Sequence, residues 1–130
     1  MPAKRQIGTK SRFMRERIRD KERLEHMLRA MQIIDEGMHT YDIEQIQKES
    51  IVYYGFVKQV EIIGEATYML TKEFREMHPD TPWNKIEGMR HVLVHGYYAI
   101  NPQQLLRVIT QDLPTLRPQI ERYIAEESTK

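Results

Sequence analysis

The chain has 130 residues, of which 30% are charged, enough for one domain with a real hydrophobic core. It contains no cysteine, which excludes disulfides and thiolate metal centres. No apolar run reaches the roughly 18 residues of a membrane span, and the basic N-terminus lacks the apolar stretch of a secretory signal, so a cytoplasmic protein without membrane attachment is expected.

In chain order, the first feature is a charge split. Residues 1–23 carry nine Lys/Arg against three Asp/Glu, a net of +6, while the rest carries eleven against sixteen, a net of −5. Residues 1–17 are expected to be a basic, flexible leader, able to attract nucleic acid by counterion release or simply solvated. Residues 18–130 are expected to form a helical bundle. A first helix is predicted from about Ile18 to Glu36, with Leu24, Met27, Leu28, Met31 and Ile34 as its apolar stripe and Gly37 as its C-cap. A short turn of helix is expected in "HTYDIEQIQKES". A second long helix is predicted over Ile51–Met77, with Val60, Ile63, Gly64, Thr67, Leu70 and Phe74 on one face.

"HPDTPW" breaks the chain, with Thr81 as N-cap and Pro82 at the first helical position. A third helix runs from Trp83 to about His95. After "YYAINPQQ", where Asn101 caps, Pro102 begins and Gln104 completes a capping box, a fourth helix runs to about Ile124. Pro114 and Pro118 are expected to bend it. No hairpin signal or internal repeat interrupts this pattern. The expected fold is all-α, an antiparallel bundle of four to five helices.

The chemistry concentrates in "MRHVLVHGYY", residues 89–98. On an ideal helix Ile86, Met89, Leu93 and Tyr97 form a core stripe, and Arg90 shares a face with Tyr97. Arg90 and His95 lie about 140° apart. They can meet only if Gly96 ends the helix and frees His95, or if a second chain completes the site. Three readings stay open. Arg90 and His95 can be structural, satisfying a carboxylate and a helix C-terminus. His91 and His95, four apart, can share a cation, although no third ligand stands at suitable spacing. Or a guanidinium that forks onto phosphate and an imidazole that titrates near neutrality can cleave a phosphodiester without a metal.

On the second long helix Lys58, Glu61, Glu65, Tyr68 and Lys72 line one face, which is either a solvated face of paired charges or the source of a carboxylate that orients Arg90, from Glu61 or Glu65. Met27, Met31, Met69, Met77 and Met89 are expected in the core, His78 exposed, and Trp83 as an anchor between helices. There is no P-loop, GxGxxG, GxSxG or paired metal carboxylates, so neither a cofactor nor a metal is expected.

"EIIGEA" (61–66), the Pro-Trp-x-x-Ile of Pro82 to Ile86, "GMR" (88–90), Arg-x4-His-x-Tyr at Arg90, His95 and Tyr97, and the later "DLP" with Leu116 together resemble the HepT-like family of HEPN proteins. The resemblance spans roughly residues 22–126. It implies a helical bundle that forms a homodimer, with two Arg-x4-His motifs in one cleft, and a metal-independent endoribonuclease acting as the toxin of a toxin–antitoxin pair. The implied partners are an RNA substrate and a minimal nucleotidyltransferase antitoxin (MntA), which silences the toxin by AMP transfer to the motif tyrosine. Carried over, Arg90 binds the scissile phosphate, His95 is the general acid/base and Tyr97 accepts AMP. His91 stands where the family commonly has Asn, Lys58 where it often has Arg, and Gly96 where it often has Glu. The alternative is a non-catalytic module that binds nucleotide or nucleic acid and partners a nucleotidyltransferase.

Overall fold

The computed structural model describes the backbone of residues 2–95 and 102–129 and the side chains of residues 19–90 and 102–129. The elements are α1 (Pro2–Thr40), α2 (Ile43–Lys48), α3 (Ser50–Tyr68), α4 (Lys72–Met77), α5 (Trp83–His95), α6 (Pro102–Arg107), a π-helical turn (Val108–Asp112) and α7 (Leu113–Ser128). Among the described residues there is no strand, in agreement with an all-α fold. No helix among them is long and apolar enough to cross a membrane.

The predicted stripes become the core. Leu24, Met27, Met31 and Ile34 of α1 are buried, with Leu28 packed at the margin. They meet Val60, Ile63, Thr67, Leu70 and Phe74, also buried. Three contacts give α1 and α3 their direction: Gly37 lies against Phe56, Met27 against Thr67, and Asp20 against Thr71 just beyond α3. Residue numbers fall on one helix as they rise on the other, so the pair is antiparallel.

Several boundaries differ from expectation for identifiable reasons. Helix α1 begins at Pro2 instead of Ile18 and continues past Gly37, whose carbonyl accepts from the Tyr41 amide at 2.8 Å. The side chains of the basic segment lie outside the described residues. Gly37 is not a cap: a Cβ there would sit 2.6 Å from the Phe56 ring, so glycine serves close packing of α3 on α1. The short helix after it is α2, begun by a capping box between Asp42 and Gln45.

The helix expected over residues 51–77 is two helices. The break at residues 69–71 contains neither glycine nor proline. It is held from a distance: the buried Asp20 carboxylate on α1 accepts from the Thr71 amide at 2.8 Å and the Thr71 hydroxyl at 2.7 Å. Thr71 in turn accepts from the Phe74 amide at 3.1 Å and caps α4. With the chain turned here, Met69 and Met77 are nearly half exposed and not in the core as expected, whereas Met27, Met31 and Met89 are buried.

Aromatic rings close this end of the bundle. Phe74, His78, Trp83 and Tyr123 pack against one another, with His78 4.2 Å from Tyr123 between ring centres. His78 is thus half-buried and stacked, against the expectation of exposure. Trp83 is the anchor predicted for it, its indole N–H donating to the His78 carbonyl at 2.9 Å. Thr81 is buried, and its hydroxyl bonds across to Gln119 and Tyr123 of α7.

The last helix begins at Pro102 as predicted and runs on to Ser128 through the π turn. Asn101, its expected cap, lies outside the described residues. Leu113 donates to the Val108 carbonyl, five residues back. Pro114 and Pro118 lack amide hydrogens; the π turn ends just before Pro114, and Pro118 lies inside α7.

Replacing Asp20 with alanine removes the acceptor for two Thr71 donors and should lower the unfolding free energy by about 2–3 kcal/mol. Urea denaturation checks this, with the midpoint falling and the slope unchanged.

Candidate functional site: the Arg90 junction of α3 and α5

Helices α3 and α5 are in close contact at Gly64. A Cβ on this residue would lie 2.9 Å from both the amide nitrogen and the Cβ of Arg90, and 3.3 Å from the Ile86 carbonyl oxygen. Only glycine admits the α5 backbone here. The approach is reinforced by Ile63, Ala66, Ile86 and Met89, all buried.

This contact puts the Arg90 side chain over the outer face of α3. Its Nη1 donates to Glu65 Oε2 at 3.0 Å. Its guanidinium carbon lies 3.8 Å from the centre of the Tyr68 ring, a cation–π contact. The guanidinium is thus fixed by a charged hydrogen bond and by stacking, before any ligand arrives. The Glu65 hydrogen bond holds the Arg90 pKa above the ordinary arginine value; partial desolvation opposes this, and the charges of Glu65, Tyr68 and Glu87 add to it. A raised pKa means that the contribution of this contact to stability is fully present below the ordinary arginine value and lost only in strong alkali. Arg90 therefore stays cationic at every working pH.

The site remains open. The Arg90 side chain is 20% exposed and that of Glu65 59%. An anion can reach the guanidinium, and the exposed Glu65 carboxylate can share it or yield it. An exposed ion pair of this kind adds little stability, so its value lies in aim. Glu87, one turn before Arg90 on α5, pairs with Arg75 at 3.3 Å, and Arg75 also donates to Asn84 at 2.9 Å.

Of the predicted site residues, Arg90 and Glu65 are brought together. Glu61 is turned to Lys58 instead, at 3.8 Å, so the choice between the two glutamates falls to Glu65. His91 and His95 belong to the helical backbone of α5, which leaves residues 90 and 95 about 140° apart around its axis. The side chains of His91 and His95, and the whole of Gly96 and Tyr97, lie outside the described residues. Sequence reasoning placed Tyr68 on a solvated face and missed its contact with Arg90. The available signal was its position four residues after Gly64, one turn along the face on which α5 rests. Among the described residues no three His, Asp or Glu side chains cluster to hold a metal ion.

An all-helical bundle with Arg90 and His95 on one helix agrees with the HEPN resemblance seen in the sequence. The chain belongs to the Ribonuclease HepT-like family, whose model matches residues 27–123. It is 36% identical over 104 residues to the protein named "Putative RNase TTE0752" from Caldanaerobacter subterraneus subsp. tengcongensis, covering 80% of this chain and 93% of that one. It is 28% identical to "Probable ribonuclease HepT" of Thermococcus cleftensis, over 78% of this chain and 93% of the relative. It is 30% identical to "Putative RNase MJ1380" of Methanocaldococcus jannaschii, over 62% of this chain and 73% of the relative. No solved structure gives a significant match.

Glycine-to-alanine changes should separate packing from helix propensity. Alanine gains up to about 1 kcal/mol of propensity in a helix. At Gly55, where nothing lies within 4 Å of a new Cβ, that gain should appear as added stability. At Gly64 the clash is with backbone, and overpacking of about 1–3 kcal/mol should outweigh the gain. Thermal unfolding of the two variants beside wild type should show opposite shifts.

Proposed function

We propose that this protein is a metal-independent endoribonuclease in which Arg90 and His95 act on one phosphodiester. The observation that carries this reading is the pre-aimed Arg90 guanidinium, fixed by Glu65 and Tyr68 on the surface of a chain from the HepT-like family. The names of its relatives, which call them RNases or a ribonuclease, support the same substrate class.

In this reading Arg90 binds a non-bridging oxygen of the scissile phosphate and offsets the charge that builds in the transition state. An imidazole removes the proton of the adjacent ribose 2′-hydroxyl. The 2′-oxygen attacks phosphorus, the bond to the 5′-oxygen breaks, and an acid protonates the leaving oxygen. The products are a cyclic phosphate and a 5′-hydroxyl end. The separation of about 140° between residues 90 and 95 on α5 favours a homodimer, in which the second copy supplies what one helix cannot aim inward. Two copies also bring two imidazoles, one for each proton transfer.

We further propose the toxin role in a cytoplasmic toxin–antitoxin pair, with a nucleotidyltransferase antitoxin that moves AMP onto the Tyr97 hydroxyl. An adenylate two residues beyond His95 adds a bulky anion close to the arginine that the RNA phosphate needs, and the site is silenced by charge competition. His91 and Lys58 are supporting residues in this scheme, His91 as a further donor and Lys58 as a cation two turns from Glu65. The basic segment of residues 1–17 serves as an arm for RNA backbone. The −5 charge of residues 24–130 favours a second reading, a non-catalytic module that presents nucleotide to its transferase partner.

Purified protein incubated with RNA in EDTA tests the proposal. Wild type should cleave, Arg90→Ala should be slower by about 10²–10³-fold, and His95→Ala by about 10²–10⁴-fold. Because Arg90 stays charged, any rate change near neutral pH should vanish with the His95 substitution. No cleavage by wild type, or equal cleavage by wild type and both variants, would overturn the enzyme reading.

A further inference from the structure

Tyr68 is 49% exposed although it belongs to a helix whose other face is core. A single exposed aromatic is ordinary. Its setting is not: the ring lies on the charged outer face of α3, one turn after Glu65, and contributes nothing to the buried cluster. Its defined neighbour is the Arg90 guanidinium, 3.8 Å from the ring centre. The guanidinium sits over one face of the ring, and about half of the residue is left to solvent.

A cation for phosphate and an open aromatic ring beside it are the two groups that grip single-stranded nucleic acid, one on the backbone and one on the base. In a nucleotide, base and phosphate are separated by one ribose, so a phosphate on the Arg90 fork leaves its base within reach of the exposed part of the neighbouring Tyr68 side chain. We propose that Tyr68 is a base-stacking subsite, which takes the unstacked nucleobase next to the phosphate held by Arg90, so that the substrate is a single-stranded stretch of RNA. The inference rests on the ribonuclease reading above and extends it to substrate class. It also serves the chemistry. Attack by the 2′-oxygen needs a linkage rotated out of regular stacking, and a base pinned on Tyr68 supplies that rotation at the neighbouring phosphate. Duplex RNA keeps its bases inside and cannot use the subsite.

The test uses a short 2′-O-methyl RNA oligonucleotide, which cannot be cleaved, carrying the fluorescent base 2-aminopurine. Stacking quenches this base. Wild type should bind and quench, and Tyr68→Phe, which keeps the ring, should do the same. Tyr68→Leu should bind about tenfold more weakly and leave the fluorescence high, with an unchanged melting temperature. The same sequence in a duplex should bind wild type more weakly than the single strand. Cleavage of unmodified RNA is measured in parallel. Full quenching by Tyr68→Leu, with or without loss of cleavage, overturns the subsite, since the ring then at most positions Arg90. Absence of binding by wild type overturns it as well. Binding and ring-dependent quenching without any wild-type cleavage uphold the subsite and sink the ribonuclease reading instead.

Discussion

The close approach of α5 to α3 at Gly64 is the constraint on which the site depends. Without a side chain at that position, the backbone of Arg90 rests directly on α3, and everything on the outer face of α3 within one turn comes into reach of its side chain. Glu65 is the next residue along and Tyr68 is one turn further. Each meets the guanidinium from a different direction, one through a charged hydrogen bond and one through a ring face. An arginine has many rotamers, and ordering it costs conformational entropy. Here that ordering is done by the fold before a ligand binds, which leaves more of the binding energy for the transition state.

A second set of contacts keeps the two helices in register from the other side. Asp20 ties α1 to the start of α4, and Phe74, His78, Trp83 and Tyr123 join α4, α5 and α7. Lys85 reaches Asp112 at the π turn at 3.2 Å. The residues around Arg90 therefore sit on a helix clamped at its N-terminal end. The opposite end of α3 is different in character, with Ile51 91% exposed and Tyr54 half exposed. Both lie on the same outer face as Glu65 and Tyr68, so an apolar patch runs into the charged one.

The apolar stripes were legible because burial imposes a period, and Leu24 through Ile34 and Val60 through Phe74 obeyed it. The family resemblance carried in "EIIGEA", Pro82 to Ile86 and Arg90 was legible too, and the match over residues 27–123 agrees with it. The break at Thr71 was not, because its anchor is Asp20, fifty-one residues earlier, and Thr71, the cap of α4, has no glycine or proline beside it to mark the turn. Gly37 was misplaced for a related reason: a glycine that ends a helix and a glycine that admits a neighbouring ring look the same in one dimension. The choice between Glu61 and Glu65 turned on the height at which α5 crosses α3, which one helix alone does not encode. Tyr68 was hidden by its surroundings, since a tyrosine among Lys and Glu on a helix surface carries no mark of what the next helix brings to it.

Trp83 is the sole tryptophan of the chain and is sealed among Phe74, His78 and Tyr123, with its N–H on a backbone carbonyl. Its emission is therefore an optical reporter placed by nature at the clamp alone. Loosening around Ile51 and Tyr54 will leave that signal silent, while any event that parts α7 from α5 will register at once. The molecule thus carries a one-sided gauge of its own integrity, sensitive where the helices are stapled and blind where they are bare.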